Sequence, residues 1–125
     1  MMEADPRREL KPLVWVTSSR KEYDEFPDPV QNVVGFALYL AQAGMVHPHA
    51  KVLKGFGGAG VVEVVTAHDG DAYRTVYTVR FERAVFVLHA FKKKSKSGGA
   101  VPKMTAELIR KRLKAAKEQH DAMRV

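Results

Sequence analysis

YRTVYTVRFERAVFVLHAFKKKSK, residues 73–96, reads as two strands joined by a tight turn and running out into lysines. Strand side chains alternate between faces, so Tyr73, Thr75, Tyr77, Val79 and Phe81 point one way and Arg74, Val76, Thr78 and Arg80 the other. Two arginines therefore share a face. Residues 84–91 are apolar at nearly every position except His89, as expected of a central strand covered on both sides. The lysines that follow leave a rigid element, which makes this stretch the expected site of chemistry.

Working back from it, Asp69-Gly70 marks a hairpin turn, and residues 61–65 form the strand before that turn. The glycine-rich run at residues 55–60 lacks the terminal Gly-Lys-Ser/Thr and the following helix of a phosphate loop, and it is expected only to turn the chain tightly. Further upstream, Val30, Val33, Val34, Ala37, Leu38 and Ala41 recur at helical spacing. Asp28 as N-cap and Pro29 at the first helical position start that helix, and Gly44 caps its end. A shorter helix precedes it, opened by Ser19 and Glu22 as a capping box and stopped by Pro27. Residues 13–17 are a short strand, and residues 1–11 have the pattern of a frayed tail. Downstream, residues 97–100 form a joint, and Pro102 introduces a helix with Met104, Leu108, Ile109, Leu113 and Ala116 near one face.

The order is strand, two helices, three strands in a meander, then a basic helix. The class is α+β: a small twisted, mainly antiparallel sheet with an N-terminal helical hairpin packed on it and a C-terminal basic helix. That last helix has three open placements: docked on the sheet, over the lysine run, or on a partner.

The 125 residues make one domain, 1–125, with enough chain for one core. The absence of cysteine excludes disulfides and thiolate metal sites. The charged start does not read as a signal peptide, and no apolar run approaches the roughly 20 residues of a membrane helix, so a cytoplasmic protein without a membrane partner is expected. His47-Pro48-His49 has no third ligand nearby, and no metal or cofactor is expected. The net charge of +7 is unevenly spread. Up to Ala90 there are 10 Lys and Arg against 11 Asp and Glu, or −1; from Phe91 onward there are 11 against 3, or +8. A localised basic field suits a polyanion.

Four stretches resemble the RelE/HigB-like toxins of toxin–antitoxin modules, in particular their phage-derived branch. They are WVTSSRKEYDEFP at residues 15–27, YLAQAGMVHPHAKVLKGFGG at residues 39–58, YRTVYTV at residues 73–79 and FVLHAFKKKSK at residues 86–96. Their order and spacing carry the resemblance. It implies a small twisted sheet with a helical hairpin on one side, in keeping with the order read from the residues.

The resemblance also implies a metal-independent endoribonuclease that cuts messenger RNA on the ribosome by attack of the ribose 2′-hydroxyl on the adjacent phosphate. Its implied partners are the ribosome, mRNA and a cognate antitoxin with a helix-turn-helix domain. Such chemistry needs a proton acceptor, charge neutralisation at the phosphate and a proton donor. By position, Arg74 matches the family's transition-state arginine and Lys93 its second basic residue, with Lys54, Lys92, Lys94 and Lys96 as RNA contacts. Glu63 and Val65 stand where the best-known relatives carry basic residues, and no tyrosine follows Lys96. His89, with an ordinary pKa of about 6.5, is the candidate acid or base in their place. Two alternatives remain: a non-catalytic relative that grips RNA or ribosome, and a phage protein acting through protein contacts.

Overall fold

The β-branched and aromatic runs pair into one five-stranded sheet in the computed structural model, which describes residues 9–58, 60–93 and 101–123. In chain order the elements are β1 (Leu13–Trp15), α1 (Ser19–Asp24), α2 (Asp28–Gln42), β2 (Ala50–Val52), β3 (Val61–His68), β4 (Asp71–Thr78), β5 (Val85–Lys93) and α3 (Lys103–Ala122). The strands lie in the order β1-β5-β4-β3-β2, with β1 parallel to β5 and every other pair antiparallel. The expected class and meander are present. One element is additional: β2, three residues long, pairs with β3 at the edge and directly follows the Pro48-His49 turn.

Helices cover both faces of the sheet. On one face Val30, Val34, Ala37, Leu38 and Ala41 of α2 pack against Val62, Val64, Tyr73, Tyr77, Val85, Val87 and Ala90. On the other, Ile109 and Ala116 of α3 join Val61, Val76, Phe86 and Leu88. Each fully buried Val, Leu or Phe contributes roughly 1.5–3 kcal/mol, so both helices are held by their apolar stripes. Of the three placements open for the last helix, docking on the sheet is the one observed.

Local signals held in part. Asp69 and Gly70 both have positive φ (50° and 84°), which gives the two-residue turn a twist matching its strands. Gly44, at φ 79°, follows α2 in a Schellman arrangement: its own N–H donates to Ala41 O and that of Met45 to Leu40 O. The N-terminal signals need correction. Ser18, not Ser19, occupies the N-cap of α1 with no side-chain cap, Ser19 is buried, and the Glu22 carboxylate is used elsewhere. Pro27 occupies the N-cap of α2, which leaves Asp28 inside the first turn, where its charge still favours the helix dipole. Gln31 instead ties the two helices, donating through Nε2 to Asp24 O and Phe26 O.

Candidate active-site face

The register of β4 against β5 decides which side chains meet. Val76 pairs with His89 but Tyr77 pairs with Val87, so Leu88 is an extra residue in β5, a β-bulge. Without it, strict alternation would place His89 beside Val85 and Val87 in the α2-side core. The bulge leaves Phe86 and Leu88 in the α3-side core and Ala90 in the α2-side core, and sets His89, Phe91 and Lys93 on the α3 face. His89 stacks on Phe91 at 4.8 Å and 19°.

Directly opposite strand residues share a face, so Arg74, paired with Phe91, lies on that same side. Val65 pairs with Arg74, Glu63 with Val76, and Lys51 with Glu63, extending the face across β3 to β2. Three of the expected residues, Arg74, His89 and Lys93, are thus brought together. Arg74 is only 2% exposed, and its Nη1 donates to Glu63 Oε2 at 3.2 Å. Burial pushes the Glu63 carboxyl above its ordinary value, and Arg74, Lys93 and Lys51 pull only partly the other way.

The remaining basic residues are placed elsewhere. Lys92 faces the opposite side with Tyr73 and reaches Asp71 at 3.6 Å, an exposed pair of small energetic weight. It borders a cavity of about 280 Å3 between α1 and the end of β5, with Glu22, Glu25, Phe26, Tyr73, Ala90 and Phe91. Lys54 is exposed in the loop before the glycines, beside Gly55, whose carbonyl accepts from Arg110. Lys94 and Lys96 lie outside the described residues. The glycine-rich loop is built into the fold: Phe56 is buried and stacked beneath Arg110, and its carbonyl accepts from Arg80. His47 is also used locally, its Nδ1 accepting from the His49 N–H at 3.0 Å. Among the described residues, no group of three or more His, Cys, Asp or Glu is arranged to hold a metal.

His89 sits in a cluster that spacing did not reveal. β1 ends at Trp15, so beyond Val87 the outer edge of β5 has no strand neighbour. Side chains complete it instead. Glu22 from α1 accepts the Ala90 N–H at 3.2 Å, and Arg112 from α3 donates through Nη1 to Leu88 O at 2.9 Å. Arg112 also grips Glu22 with both terminal nitrogens, at 2.9 and 3.0 Å, and Glu22 Oε1 lies 2.9 Å from His89 Nδ1. Burial alone would raise Glu22, but the hydrogen bonds from Arg112, His89 and Ala90 together hold it below its ordinary range. His89 is lowered, chiefly by burial and also by Arg112, against the pull of Glu22. At neutral pH the imidazole is therefore uncharged and able to accept a proton.

Ser19-x-x-Glu22 fits the capping-box pattern, which hides the role of Glu22 at the β5 edge. Arg112 carried a visible signal: it lies three residues after Ile109 and four before Ala116, on the buried stripe, where a charged residue requires a partner.

Among known proteins, residues 21–114 match the family described as Phage derived protein Gp49-like. Among solved structures, an arginine-to-alanine double mutant of E. coli toxin RelE in the free state superposes with a TM-score of 0.54 at 18% identity, covering 86% of this chain and 98% of that one. At that identity the likeness is one of fold. A search of curated protein sequences finds no match.

Proposed function

Because the chain belongs to the Gp49-like family of phage-derived proteins, within the RelE-like toxin superfamily, we propose that it is the toxin of a toxin–antitoxin module and acts as a metal-independent, ribosome-dependent mRNA endoribonuclease. The observation that carries this reading is the bulge-set face on which Arg74, His89 and Lys93 converge. A 2′-hydroxyl attack needs little more than these three groups. His89, neutral at neutral pH, accepts the hydroxyl proton; Arg74 and Lys93 offset charge on the five-coordinate phosphorus; and Lys93 protonates the departing 5′-oxygen. Lys54, Lys92, Lys94 and Lys96 contribute sequence-independent phosphate contacts. The cytoplasm is the compartment that holds the ribosome and message, and a helix-turn-helix antitoxin is the neutralising partner.

A second reading, a relative that binds RNA or ribosome without cutting, is favoured by one observation: the Arg74 guanidinium is buried against Glu63. Kinetics separate the two. Expression without antitoxin should arrest growth, and His89→Ala, Lys93→Ala and Arg74→Lys should lose cleavage rate by about 100-fold or more while ribosome affinity changes little. Soluble wild-type protein that binds ribosomes, leaves message intact and loses only affinity in these variants would establish the binder instead.

A further inference from the structure

We infer that Glu22 and Arg112 are positioning residues that lock His89 as the Nδ1–H tautomer and aim a bare Nε2 at the ribose hydroxyl. This rests on the ribonuclease reading above and supplies the general base with its orientation.

The available hydrogens fix the tautomer. Arg112 Nη1 has two, and acceptors at 2.9 Å take both: Glu22 Oε1 and Leu88 O. Its third neighbour, His89 Nδ1 at 3.4 Å, receives none. A bare Nδ1 would then face a carboxylate oxygen at 2.9 Å, lone pair against lone pair. A protonated Nδ1 makes a charge-assisted bond of ordinary length there. In the neutral ring the proton therefore sits on Nδ1, and Nε2 keeps its lone pair. No partner for Nε2 is found among the described residues.

The bidentate Arg112 holds Glu22 ionised and in place, and the Phe91 ring stacked on the imidazole limits its rotation. Three chain-distant elements, α1, β5 and α3, are needed to build this arrangement. The charged groups around the imidazole are Glu22 from α1 and Arg112 from α3, with Lys93 farther along β5 and the Arg74–Glu63 pair of β4 and β3 on the same sheet face.

A purely structural network that completes the β5 edge would leave the cleavage rate and its pH profile indifferent to the Glu22 charge, so these are the readouts, together with the tautomer itself. Nitrogen-15 spectra of the imidazole in the wild-type chain should show Nδ1 protonated and Nε2 bare at a pH where the ring is neutral. Glu22→Gln keeps the shape but can present an amide N–H to Nδ1. It should show a mixed or reversed tautomer, lose about 10- to 100-fold in cleavage rate at unchanged KM, as do variants lacking the carboxylate behind a metal-bound histidine, and move the acid limb of its pH profile to lower pH. An Nε2–H tautomer in the wild-type chain overturns the inference and leaves the ribonuclease reading intact. So does a folded Glu22→Gln variant with wild-type rate and acid limb. Wild-type protein with the Nδ1–H tautomer but no cleavage on ribosomes overturns the ribonuclease reading, and the catalytic role of Glu22 with it.

Discussion

Glu63 and Arg74 illustrate what a buried pair costs when it is broken. Both are almost inaccessible, and removing one charge leaves the other desolvated. Arg74→Ala should lower unfolding free energy by about 3–5 kcal/mol, and adding Glu63→Leu should recover much of that loss, both read by urea denaturation. Equal stability of the single and double variants would mean that Glu63 left without Arg74 costs nothing, against this expectation. The pH response has opposing signs. His89 is depressed in the fold, so its contribution is complete above its ordinary value of 6.5 and declines as pH falls toward the lower folded value. Glu22 behaves alike below 4.5, whereas Glu63, raised by burial, gains stability as pH falls through its folded value. The clean observable is therefore a difference. Relative to His89→Gln, the wild-type chain should lose stability on acidification below pH 6.5, and parallel curves would contradict the assigned shift.

At the level of elements, the sequence made the β3–β4–β5 meander, the Asp69-Gly70 turn and the Gly44 stop legible because each depends on local chemistry: alternation, paired positive φ and left-handed backbone. What it left hidden depends on non-local pairing. β2 is three residues long with two of them exposed, so it has almost no period to detect. The bulge at Leu88 turns His89 from one face to the other without any turn residue to announce it. Arg74, His89 and Lys93 were each legible as basic groups in or beside strands, but Glu22 and Arg112 acquire meaning only when α1 and α3 converge on one edge. Glycines differ in the same way. A Cβ at Gly44 would meet nothing within 4 Å, so Gly44→Ala should cost only the left-handed backbone, about 1–2 kcal/mol. At Gly60 a Cβ would lie 2.6 Å from Arg80 Cβ and 3.0 Å from its Cα, where β3 begins beside the end of β4. Gly60→Ala should therefore be the more damaging change, by thermal melting, and the reverse order would show that this crossing relaxes easily.

Across the whole molecule, charge and chemistry are partitioned. The chain up to Ala90 carries −1 and builds most of the sheet and its α2-side core, while the residues from Phe91 onward, which include the end of β5 and all of α3, carry +8. Affinity for single-stranded RNA should fall with salt, and each lysine in phosphate contact should contribute about 0.7 to the slope of log affinity against log salt. Charge-removing changes at Lys54 and Lys92 should flatten that slope; an unchanged slope would place the RNA elsewhere. Bond cleavage is reported by the product ends. Attack by the 2′-oxygen, with departure of the 5′-oxygen, leaves a 2′,3′-cyclic phosphate on one fragment and a 5′-hydroxyl on the other. The most direct measurement is end chemistry on a translated message incubated with the wild-type chain and chelator, with and without ribosomes. Cyclic phosphate and 5′-hydroxyl ends should form on ribosome-bound message, be absent from naked RNA and be lost in His89→Ala. Intact message on ribosomes, or 5′-phosphate ends, would contradict the ribonuclease reading.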